Sequence, residues 1–132
     1  MSRTYAGEMI IMDVKESLGI GTPYYVPDFM NLVLTVSSAS SANFTIKFQG
    51  SMSDTVPNFA AARSNTNRWD YIQVKDYQNN TTIDGDTGIT FAGTDDVRIV
   101  EANTNGLKWL CAEITAISAG SASLRLQAFS NQ

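Results

Sequence analysis

The sequence predicts an all-β fold, a β-sandwich of jelly-roll-like winding with a small barrel as the alternative, on three observations. Apolar residues recur with a period of two through most of the chain after residue 30. Polar turn clusters punctuate those runs at short intervals, and no long stretch carries the 3.6-residue period of an amphipathic helix.

The first thirty residues stand apart from this pattern. Met9-Ile10-Ile11-Met12 is a short apolar run, but Gly19, Gly21, Pro23 and Pro27 interrupt any regular element that would continue through the segment. Glu8–Leu18 has the alternatives of one strand or a short helix, the helix ended by Ser17-Leu18-Gly19. The expected organisation is therefore an extended N-terminal arm over residues 1–30 followed by a sandwich domain over residues 31–132.

From Asn31 the alternation begins. Leu32, Leu34 and Val36 share one face of a first strand, and Phe44, Ile46 and Phe48 share one face of a second. The small polar stretch Ser37–Ala42 between them reads as the connection of a hairpin with a long loop. Gly50–Asn67, with Pro57 and Ala60-Ala61-Ala62, reads as the longest non-strand segment, containing a short helical turn near Phe59–Ala62. Its Met52, Val56 and Phe59 call for a surface to pack on.

Strand character resumes over Arg68–Val74, then over Thr87–Phe91 and Val97–Val100, the last two separated by Gly93-Thr94-Asp95-Asp96. Asn103-Thr104-Asn105-Gly106 is a reversal signal. Two long strands, Leu107–Ile117 and Ser121–Phe129, close the chain around Ser118-Ala119-Gly120. The expected core includes Leu34, Phe44, Ile46, Leu110, Ile114 and Leu126.

Composition narrows the function classes. The 132 residues suit one domain, large enough to bury a full core without staples. Charged residues are only 17% of the chain, and 13 Ser, 13 Thr and 10 Asn take their place. A surface so weakly charged suits contact with other subunits. The net charge of -4 disfavours nucleic acid, because counterion-release binding needs several cations on one face. The chain has no His and one cysteine, Cys111, which removes the Ser-His and Cys-His pairs, an intrachain disulfide and a cysteine-based zinc site. No catalytic residue, cofactor or metal ligand is expected. Nor is a membrane span: no apolar run approaches ~20 residues and no signal sequence opens the chain, so synthesis in the cytoplasm is expected. Asn43-Phe44-Thr45 and Asn79-Asn80-Thr81-Thr82 read as strand and turn residues rather than glycosylation sites.

Three groups merit comparison as candidate sites. Asp84, Asp86, Asp95, Asp96 and Glu101 form an acidic concentration, but turn-forming Asp beside Gly explains it better than a calcium loop or a glycosidase carboxylate pair. Trp69, Tyr71 and Tyr77 offer stacking surfaces for a carbohydrate, against which stands ordinary burial in a sandwich core. Tyr24 and Tyr25, held between Pro23 and Pro27, suit an interface anchor, since a proline-stiffened arm loses less entropy on docking. Met9, Ile11, Tyr24, Tyr25 and Phe29 are accordingly the candidate assembly contacts. The competing reading has the arm covering an edge of its own sheet.

The stretches Val26-Pro27-Asp28-Phe29 into Leu32-Val33-Leu34-Thr35-Val36, Phe48-Gln49-Gly50-Ser51 and Trp69-Asp70-Tyr71-Ile72-Gln73-Val74 carry a resemblance. Val97-Arg98-Ile99 through Asn103, and Leu107-Lys108-Trp109-Leu110 to Leu124-Arg125-Leu126, extend it. Together they resemble small β-sandwich virion proteins of tailed bacteriophages. The resemblance implies a structural component of the particle, foremost a capsid decoration or cement protein that self-associates and contacts the major capsid protein or other virion subunits. A tail-associated or carbohydrate-binding β-sandwich module is the alternative.

Overall fold

The computed structural model describes residues 4–5, 7–27, 29, 31–103 and 106–130. In chain order the strands are β1 (Thr4–Tyr5), β2 (Met9–Lys15), β3 (Gly19–Ile20), β4 (Tyr24–Tyr25) and β5 (Asn31–Ser51). They continue with β6 (Asp70–Tyr71), β7 (Val74–Asp76), β8 (Thr81–Ile83), β9 (Ile89–Ala92), β10 (Val97–Asn103) and β11 (Trp109–Ser130). Among the described residues there is no helix.

Two long strands form the spine. β5 and β11 pair antiparallel along their whole lengths, from Asn31 opposite Phe129 to Ser51 opposite Trp109. Both bend at the same level: Ser40 and Ser41 have φ of 62° and 52°, Gly120 has φ of 72°, and the register shifts three times between Ile114 and Ser121. Gly120 is required there, because a Cβ would lie 2.5 Å from the Ala39 carbonyl oxygen and from the Ala42 Cα.

The bend divides one hydrogen-bonded sheet into two halves. In the first half β10 lies on β5, β7 on β10 and β8 on β7, while β2 lies on the other side of β11. In the second half β9 and β6 flank β5, and β3 and β4 flank β11. Leu32, Leu34 and Val36 are buried in one half and Phe44, Ile46 and Phe48 in the other, in one core cluster with Leu110, Ile114, Leu124 and Leu126. With no helix to cover either apolar face, the two halves cover each other as a sandwich. All six expected core residues are buried.

Three expectations are corrected. Ser37–Ala42 is not a hairpin loop; it continues β5, and the two strands it joins pair with the two halves of β11 instead of with each other. Ser38 explains why a polar residue is tolerated inside: its hydroxyl donates to the Thr94 carbonyl at 2.7 Å and accepts from the Asp96 N–H at 2.8 Å. Likewise, Ser118-Ala119-Gly120 is a bend within β11 rather than a turn between two strands. Met9–Lys15 is a strand, not a helix, and the segment does not stand off the sandwich as an arm: β2, β3 and β4 are hydrogen-bonded to β11, and Ile11, Met12 and Val26 belong to the core.

The short turn expected near Phe59–Ala62 is a single turn, closed by the Ala61 N–H on the Asn58 carbonyl at 3.2 Å. In the expected reversal at 103–106, Thr104 and Asn105 lie outside the described residues, and Gly106 has φ of 92°.

Candidate functional site

The five candidate assembly contacts divide by exposure. Ile11 is buried, and Met9, Tyr24 and Phe29 are partly buried against the same core. The Tyr24 hydroxyl donates to the Ile10 carbonyl at 2.8 Å, fastening the segment to its own strand. Tyr25 alone keeps a large exposed surface, 54%, with its ring 4.9 Å from that of Trp109. Ile11 is thus part of the core and Met9, Tyr24 and Phe29 pack against it, so this segment covers an edge of its own sheet.

The residues that converge most closely lie at the end of the second half-sheet. The loop after β5 is pinned by side chains: Asn67 Nδ2 donates to the Asn58 and Ala62 carbonyls at 2.8 and 3.1 Å, and Trp69 Nε1 donates to the Ala61 carbonyl at 3.0 Å. From beneath, buried Gln49 donates to the Phe59 carbonyl at 3.0 Å, and Ser51 to the Arg68 carbonyl at 2.6 Å. This places the Arg63 guanidinium 5.1 Å from the Tyr71 ring centre and 5.7 Å from that of Trp69, ion-paired with Asp70 and 3.7 Å from Asp86. An open groove of about 910 Å³ runs beside it, lined in part by Gly50, Met52, Arg63, Ile72 and Leu107.

Tyr71 sits at the centre of this cluster. Its hydroxyl donates to Glu113 at 2.5 Å and Lys47 Nζ stands 5.0 Å from its ring. Partial burial, reinforced by the Glu113 carboxylate, pushes the phenol up to about 12. Lys47 and Glu113 are ordinary strand positions in the sequence, and Arg63 is set apart there only by its nearness to Arg68. Nothing in their spacing signals that a loop, β5 and β11 meet at one tyrosine.

The three aromatics proposed for sugar stacking do not form one platform. Trp69 is 8% exposed and packs edge-on against Tyr71 at 5.0 Å and beside Phe59 at 6.1 Å. Tyr77 belongs to the other half-sheet, where its hydroxyl donates to Glu101 at 2.8 Å. The acidic residues serve turns: the Asp84 carbonyl accepts the Thr87 and Gly88 N–H groups at 3.1 Å, and Asp95 accepts the Ser41 N–H at 2.7 Å. Among the described residues no group of three acidic or cysteine side chains is arranged to hold a metal ion. Cys111 is fully buried, and desolvation pushes its thiol up to about 12. No helix among the described residues is long and apolar enough to cross a membrane.

No family model matches the chain, and no curated protein matches it by sequence. Solved structures do. The chain is similar over 98% of its length to the SPBc2 prophage-derived protein YomS, of which it covers 96%, with a TM-score of 0.71 and 13% identity. It is also similar over 98% of its length to the PBSX exported protein XepA, with a TM-score of 0.72 and 18% identity, but spans only 39% of that chain. At these identities the likeness establishes a common fold: an all-β sandwich also found in proteins derived from prophages.

Proposed function

We propose that the chain is a structural protein of a phage particle, made in the host cytoplasm and docked on the capsid as a decoration or cement subunit. It acts by contact with its own copies and with the major capsid protein or other virion subunits, not by catalysis, and needs no cofactor, nucleic acid or membrane. The carrying observation is the end-to-end fold likeness to a prophage-derived protein of nearly the same length. The weakly charged surface supports the same reading, as does the engagement of the clustered charges: Arg63 is held by Asp70 and Asp86, and Glu113 by Tyr71.

The test is quantitative mass spectrometry of purified particles, with the chain labelled for electron microscopy. Label distributed over the shell at a fixed ratio to the major capsid protein is the expected result. Label confined to the tail would replace capsid decoration by the tail-associated role, and absence from particles would overturn a virion role altogether.

A further inference from the structure

The outer face of the first half-sheet sets exposed apolar side chains among its polar ones, and among the described residues no element lies over it. The register aligns Ile10, Arg125, Thr35 and Ile99 in one row across β2, β11, β5 and β10. The next row holds Gln127, Val33, Glu101 and Lys75, and the row on the opposite side holds Ser123, Ser37 and Val97. The alternate residues Leu34, Leu124, Leu126 and Val100 are fully buried, so these rows point away from the core. A one-sided antiparallel sheet ordinarily presents polar residues outward. Here Ile10, Ile99, Val97 and Tyr77 are 42%, 43%, 56% and 51% exposed, and Tyr77 is tied to this face by its N–H on the Ile99 carbonyl at 3.1 Å.

We propose that this face is a self-association surface on which two copies of the chain pack sheet to sheet about a two-fold axis at Val33 and Thr35. The inference rests on the reading that the chain works by assembly, and names the surface that does it. Charge placement selects a second copy as the occupant. Arg125 and Glu101 have opposite signs and lie on opposite sides of β5, one in the row of Thr35 and the other in the row of Val33. Their midpoint therefore falls between those two residues. A two-fold axis there, perpendicular to the line joining Arg125 and Glu101, lays each arginine against the partner's glutamate, so one contact formed is two contacts formed.

Within one copy the two are ~12 Å apart, two strands at ~4.8 Å and two residues at ~3.4 Å, too far to pair with each other. Arg125 makes an exposed contact with Glu8 at 3.5 Å, which competes weakly, and Glu101 accepts the Tyr77 hydroxyl at 2.8 Å through Oε2, so the partner's arginine is a second donor to that carboxylate. The area suits a weak, reversible dimer: four strands of seven residues with the three-residue β7 span ~500 Å² in plane before side-chain relief, below the ~800 Å² per partner of a standard interface.

The test uses the purified full chain in sedimentation equilibrium over a range of concentrations. A reversible dimer is expected, with an association constant lowered at least ~10-fold by Ile99→Lys and unchanged by Met52→Lys at the distant groove. Glu101→Arg and Arg125→Glu should each weaken it and together restore it. Thr35→Cys should be joined to its copy by a short bis-maleimide spanning ~8 Å, since packed sheets stand ~10 Å apart, beyond the reach of a direct disulfide, and Cys111 is buried. Circular dichroism and thermal unfolding verify that each variant is folded. A chain that stays monomeric, or a dimer indifferent to Ile99→Lys and without the Thr35→Cys cross-link, overturns the proposal. Presence or absence of the chain in particles is measured separately, so a monomer found on particles would sink the dimer and leave the virion role standing.

Discussion

The Tyr71 hydroxyl donates a 2.5 Å hydrogen bond to the Glu113 carboxylate and so ties the short strand β6 to the central strand β11 across β5. The Tyr71 phenol has its pKa raised from 10.0 to about 12 by desolvation and then by Glu113. The unfolded chain therefore ionises this tyrosine first as pH rises. The stability that the bond contributes is complete below pH 10 and is lost progressively as pH climbs towards about 12. Phenolate absorbance of the native protein, minus that of Tyr71→Phe, should show one tyrosine titrating late; a Tyr71 that titrates with the exposed tyrosines would contradict the geometry.

A second strand pair is held by charge. Asp76 is buried, ion-paired with Arg98, and accepts the Gln78 N–H at 2.9 Å. Asp76→Ala leaves the guanidinium without its carboxylate and should cost about 3–5 kcal/mol in urea unfolding. Replacing both residues by apolar side chains of similar volume should cost much less, because desolvation of both charges is then avoided.

The bend in the spine depends on one glycine. Gly120→Ala puts a Cβ into backbone already in contact, at a φ that L side chains rarely adopt. A loss of at least ~2 kcal/mol is expected, with slower or incomplete folding, whereas Gly93→Ala, at a comparable φ of 72° but with open space around it, should lose only ~1 kcal/mol.

What was legible in the sequence followed from period two. Leu34, Phe44, Ile46, Leu110, Ile114 and Leu126 are core residues because alternation reports which face of a strand is buried, and that holds whatever the strand pairs with. Pairing itself was not legible. Ser37–Ala42 looks like a loop because its residues are small and polar, yet Ser38 finds hydrogen-bond partners in the 94–96 segment, more than fifty residues away. The Arg63–Tyr71–Glu113 cluster is hidden for the same reason: its members share no spacing and meet only through tertiary packing. Trp69 was ambiguous between core and stacking platform, and its surroundings of Phe59, Tyr71 and Arg63 decide for the core.

The N-terminal segment provides the last prediction. A chain beginning at Pro27 loses β2, β3 and β4, which together line one edge of β11 in both halves of the sandwich. It also loses Ile11, Met12 and Val26, all nearly or fully buried. Each such side chain contributes roughly 1.5–3 kcal/mol by burial, so three of them amount to a large part of the ~5–15 kcal/mol net stability of an ordinary domain. The exposed edge of β11 would in addition present unpaired backbone groups to other chains. Truncation should therefore unfold or aggregate the isolated protein before any assembly defect can be read. Thermal unfolding of the truncated and full chains side by side checks this: a truncated protein with a full-length thermal midpoint would mean that residues 1–26 stabilise nothing in the monomer. A milder probe, Tyr25→Ala, removes an exposed ring that contacts Trp109 and leaves the buried residues in place. It should lower stability by no more than ~1.5 kcal/mol, the range of a single aromatic pair.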